Sequence, residues 1–134
     1  MLITNLTKSL AFLGLAALVL AAAPAFAQNP FADQAPLTAA DIPAIIEILE
    51  TARANPTDQA AVMAVYTKHN LDAMRGAYLT LRTGAGVSML MANMTREQAA
   101  QQMGGVDNVP SDAEIAVIKD NLPALQAAMG MPAQ

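Results

Sequence analysis

Three times in this chain a serine or threonine is followed, three residues later, by Asp, Glu or Gln: Thr38 with Asp41, Thr95 with Gln98, and Ser111 with Glu114. Each is a capping-box pattern. Its two side chains satisfy backbone N–H groups that the first turn of an α-helix leaves without intrahelical partners. No stretch shows the sustained apolar/polar alternation of a strand. The pattern predicts an all-α fold: a small bundle of four to five short helices after a cleaved N-terminal signal peptide, with the helical domain over residues 37–131.

The first helix starts near Thr38, with Ile42, Ile45, Ile46 and Leu49 at i, i+3, i+4 and i+7. Pro43 is tolerable only within its first turn, which makes Asp41 an alternative cap. Asn55-Pro56 ends it. A second helix opens at Thr57 or Asp58, carries Val62, Val65 and Tyr66 on one face, and stops near His69-Asn70, where Asn70 is suited to a left-handed turn. A third has Leu71, Met74, Tyr78 and Leu81 on one face, and Gly84-Ala85-Gly86 is expected to break it. Val87–Met94 reads either as a short helix or as an apolar connector. Thr95 opens a short helix through Met103, stopped by Gly104-Gly105. In the last segment Ile115, Ile118, Leu122, Leu125 and Met129 step 3-4-3-4, a packed helical seam that either closes the monomer core or pairs with a second copy. Pro123 is expected to kink or split that helix, and Gly130 followed by Pro132 ends it.

Residues 1–27 read as an export signal. Lys8 is the only charged side chain before Asp33, Leu10–Ala23 is almost unbroken apolar sequence, and Ala25-Phe26-Ala27 supplies a small-x-small cleavage site. The apolar run falls short of the ~20 residues of a membrane span. The expectation is cleavage near Ala27-Gln28, a flexible leader over 28–36, and a mature chain without a membrane span in the periplasm or outside the cell.

Losing Lys8 with the signal takes the net charge from −4 to −5. An acidic domain with no basic patch is a poor partner for nucleic acid. With no cysteine in the chain, disulfides, thiol catalysis and thiolate metal sites are excluded. Three phenylalanines, two tyrosines and no tryptophan leave Leu, Ile, Val, Met and Ala to build the core, a composition that favours helices over sheets.

Methionine is the unusual count, nine in the chain. Met89, Met91 and Met94 form its densest cluster. Thioethers are soft ligands for Cu(I), so these three make a candidate copper site, with Met103 as an alternative to Met89 for the third donor. The alternative reading is gap-filling in an aromatic-poor core, with no cofactor. His69, with Asp72 three residues on, is a candidate base or ligand, although a lone histidine reads more simply as a helix-end cap. Gly84-Ala85-Gly86 lacks the further glycines, strand and lysine of a phosphate cradle. Ser88 and Ser111 are the only serines after the signal, and Ser111 is taken by its capping box. No catalytic set emerges, and the chain does not read as an enzyme.

Leu37-Thr38-x-x-Asp41 and Met94-Thr95-x-x-Gln98 each resemble the L-T-x-x-Q motif of small periplasmic helical stress chaperones of the Spy type. The first departs at its last position and the second at its first; together they cover about ten residues that capping also explains. The sequence thus points to an exported, non-enzymatic binding or accessory module, and the resemblance implies a stress-related one. Its expected partner is a protein or a small apolar ligand, with periplasmic copper handling as the alternative.

Overall fold

A computed structural model describes residues 30–132, so the segment read as a signal lies outside the described residues. Among those described there are six α-helices and no strand: α1 Ile42–Ala54, α2 Gln59–Lys68, α3 Ala73–Met91, α4 Arg96–Met103, α5 Asp112–Asp120 and α6 Leu122–Ala128. One-turn 3-10 segments, Ala39–Asp41 and Val106–Asn108, precede α1 and α5. No helix among the described residues is long and apolar enough to cross a membrane.

The capping boxes fix three of the starts. Thr95 N–H donates to the Gln98 side chain at 2.9 Å while Gln98 N–H donates to the Thr95 hydroxyl at 3.2 Å. Ser111 and Glu114 reproduce this pair at 2.8 and 3.2 Å. Thr38 N–H donates to Asp41 at 2.8 Å and so opens a 3-10 turn rather than α1 itself. That turn places Pro43 in the first turn of α1, where its missing N–H costs nothing. Asp58 and Asp72 cap α2 and α3 through their side chains.

Of two expectations about helix breaks, one is corrected and one is met. Gly84-Ala85-Gly86 does not break the third helix. It lies inside α3, which runs 19 residues through Met91 and absorbs most of the segment read as helix or connector. Gly86 is kept because a Cβ there would lie 2.4 Å from Cδ1 of Ile118. The close approach of α3 and α5 offsets the ~1 kcal/mol that glycine costs inside a helix. Pro123 does split the last seam, giving α5 and α6 on either side of Asn121. The total among the described residues is therefore six α-helices rather than four or five.

The main core joins α1, α3, α5 and α6. Ile45, Leu79, Ile118 and Leu125 are fully buried in it, each contributing about 1.5–3 kcal/mol of transfer free energy. Ile118 and Leu125 thus place the centre of the 3-4-3-4 seam within the monomer. A second cluster sets Ile48 and Ala52 of α1 against Val62, Val65 and Tyr66 of α2. A third holds Met89, Ala99 and Val109 together. Of the residues read as a leader, Phe31 sets its ring edge-on to Tyr78 with centroids 5.6 Å apart, and the Ala35 carbonyl accepts from Arg75.

Candidate functional site

Four helices end in the same way, and that shared ending builds the site. Asn70, Asn93, Gly104 and Gly130 have φ of 54°, 50°, 81° and 73°. The N–H of the following residue then reaches back to a carbonyl five residues earlier: Leu71 to Tyr66, Met94 to Met89, Gly105 to Ala100, and Met131 to Gln126, all at 2.8–2.9 Å. This is the Schellman arrangement, and it turns an apolar residue just past the helix back toward the body of the protein. After α3 that residue is Met94; after α6 it is Met131.

Both methionines line a groove of about 520 Å³, within the range of small-ligand sites. Its base is a face of α3 made of Gly84, Ala85 and Ser88, continued by the C-cap residue Ala92. These side chains are too short to fill the space above the helix. A Cβ built on Gly84 would meet nothing within 4 Å. Met89, Met94, Met103, Met129 and Met131 contribute thioether side chains to the lining, and Phe31 and Tyr78 contribute aromatic rings.

The charged lining residues are Arg53, Arg82 and Asp107. The Arg82 guanidinium lies 5.1 Å over the Tyr78 ring and donates to the Asp107 carbonyl at 2.6 Å. Arg53 is exposed and has no hydrogen bond or ion pair among the described residues; its side chain lies against Gly130. In contrast Arg75 pairs with Asp41 at 3.1 Å and Lys68 with Glu47 at 2.7 Å.

Behind the groove the Tyr78 hydroxyl donates to Glu114 Oε1 at 2.5 Å. Glu114 is 2% exposed. Burial alone would raise its pKa, but donation from Tyr78, Leu37 N–H and Ser111 N–H holds it below the ordinary carboxylate value. Burial, then the Glu114 carboxylate, pushes the Tyr78 phenol up to about 12. All of this group's short contacts are internal, which makes it a structural clasp.

The structure separates the three methionines of the copper candidate. Met89 is buried, with Met94 partly buried against the same cluster, whereas Met91 is 41% exposed and outside the groove lining. Two residues apart on a helix are about 200° apart around its axis, which is why Met89 and Met91 diverge. His69 does not turn to Asp72. Its Nε2 lies 2.7 Å from Glu47 Oε2, tying the end of α2 to α1. Among the described residues no three His, Asp or Glu side chains converge as a metal site.

The sequence offered Met103 only as an alternative copper donor and gave no sign of Met129, Met131 and Arg53, since the parts of this site come from different segments. Two local signals were present: Asn93-Met94 and Gly130-Met131, an αL-prone residue followed by an apolar one. Compared with protein-family models, curated proteins and solved structures, the chain matches none.

Proposed function

We propose that this protein is a non-enzymatic binding module that holds an apolar ligand in the methionine-lined groove over α3. The observation that carries this reading is the groove itself: about 520 Å³ of apolar space whose base is kept open by Gly84, Ala85, Ser88 and Ala92. Methionine side chains are flexible and polarisable, and they suit a wall that adapts to a ligand. The export signal read from residues 1–27 supports a periplasmic or extracellular setting. A non-catalytic role is supported by His69 being engaged with Glu47 and by Glu114 being committed to three internal donors.

Titration with the neutral apolar dye Nile red tests the reading. The expected result is saturable, single-site fluorescence enhancement that is lost in Gly84→Leu, whose side chain fills the groove. No enhancement, or enhancement unchanged in Gly84→Leu, overturns it.

Copper handling keeps one observation in its favour: Met89 and Met94 share a contact cluster, and other thioethers line the same groove. Titration with Cu(I) under reducing conditions decides it. Affinity unchanged when Met89, Met91 and Met94 are all replaced by Leu eliminates that site.

A further inference from the structure

The shape and the charges of the groove specify its ligand more narrowly than apolarity does. Along α3 and its C-cap the lining runs from Tyr78 to Ala92, about 21 Å at 1.5 Å per residue. A trough of that length suits an extended chain better than a compact ring system. A peptide would bring a backbone N–H and C=O per residue into an apolar trough, at an unmatched desolvation cost. A hydrocarbon chain brings none.

The chain carries a net charge of −4, yet two arginines face this groove against the single carboxylate of Asp107. Arg82 is occupied by the Tyr78 ring and the Asp107 carbonyl. Arg53 is not occupied: neither Glu50 on its own helix nor any other described carboxylate pairs with it. A single planar guanidinium at the rim of an apolar trough matches a carboxylate, which it can bind through two parallel N–H···O bonds.

We propose that the groove takes a single-chain fatty acid, with its tail laid along Gly84, Ser88 and Ala92 and its carboxylate on Arg53. This rests on the groove being a ligand site, as proposed above. The methionine wall accommodates tails of different length, and Arg53 fixes the headgroup end.

The test is calorimetric titration of the purified, delipidated protein with decanoate, 1-decanol and decyl phosphate, repeated on Arg53→Gln and Gly84→Leu. Decanoate is expected to bind about tenfold more tightly than decanol, the size of one charge-assisted contact. Arg53→Gln is expected to remove that tenfold and leave decanol unchanged; Arg53 is exposed, so the variant folds. Gly84→Leu is expected to abolish uptake of both. Equal affinity for acid and alcohol, or no effect of Arg53→Gln, overturns the fatty-acid assignment while the apolar groove stands. Binding of decyl phosphate without decanoate also overturns it. Uptake of none of the three overturns the groove reading as well. Decanoate uptake that appears only after removal of residues 1–29, or only when a dimer dissociates, assigns the groove to the chain's own N-terminal segment or to a second copy, and overturns the proposal.

Discussion

The backbone N–H of Leu37 donates a 2.9 Å hydrogen bond to the carboxylate of Glu114, 77 residues later in the chain. The same carboxylate accepts from Tyr78 of α3 and from the N–H of Ser111, its capping-box partner. One side chain thereby caps α5, fixes the entry to α1 and seats the central helix.

Removing it is expected to cost more than losing a cap. Glu114→Ala leaves two buried donors and one part-buried donor unmatched and is expected to destabilise the fold by about 3 kcal/mol or more, against about 1 kcal/mol for an ordinary cap. Ser111→Ala, which removes only the local hydroxyl contact, should stay near the lower figure. Urea unfolding of the two variants checks the contrast.

Acid stability follows from the same group. Its folded pKa lies below its unfolded value of about 4.5. The stability it contributes is therefore fully present above that value and is lost as the pH falls through the lower, folded pKa. Thermal melts are expected to hold near neutrality and fall below about pH 4.5, and the fall should be shallower in Glu114→Gln.

At the alkaline end the sign reverses. Tyr78 ionises in the folded protein only at about 12, and burial raises Tyr66 above its usual value as well. Stability is expected to be full below pH 10 and to fall as the pH rises from 10 toward 12. Phenolate absorbance should appear together with unfolding, since these are the only two tyrosines. A phenolate signal near pH 10 from intact protein would contradict the burial of both rings.

Three glycines of α3 are expected to respond differently to alanine. At Gly76 an added Cβ would lie 2.3 Å from the Tyr66 ring, which cannot yield, so Gly76→Ala should cost about 2–3 kcal/mol. Gly86→Ala meets the buried tip of Ile118 and should cost less. Gly84→Ala enters open space and should stabilise the helix by about 0.5–1 kcal/mol. Chemical denaturation of the three variants gives the order.

Thr83 is fully buried in α3, and its hydroxyl has no hydrogen-bond partner among the described residues. Thr83→Val keeps the shape and removes an unmatched polar atom. It is expected to raise stability by about 1 kcal/mol in the same assay.

The helix starts and stops were legible because capping and turn chemistry are local. Thr95 and Ser111 cap as their spacing indicates, Asp58 is the one of two offered residues that caps α2, Val62, Val65 and Tyr66 are the buried face of α2, and Asn70 adopts the left-handed turn expected of it. The course of α3 was not legible. Besides Tyr78, Leu79 and Val87, its packed surface includes Gly76, Thr80, Thr83 and Gly86, small or polar residues that hydrophobic periodicity does not register. They are buried because other helices press against the backbone there, a fact that sits in Tyr66 and Ile118 rather than in α3. The groove escaped for a related reason. Its emptiness comes from what Gly84, Ala85 and Ser88 lack, and its wall is gathered from methionines more than 40 residues apart.

The groove therefore has one stiff surface and one yielding surface. The α3 backbone sets the stiff side and cannot move without unseating Gly76 from Tyr66 and Gly86 from Ile118. The thioether side chains opposite can rearrange at little cost. In the proposed binding role, such a groove would be strict about how straight a guest must lie and lenient about how thick it is. Variation among guests would be read by the methionines, while single-residue changes on α3 would reset the bore.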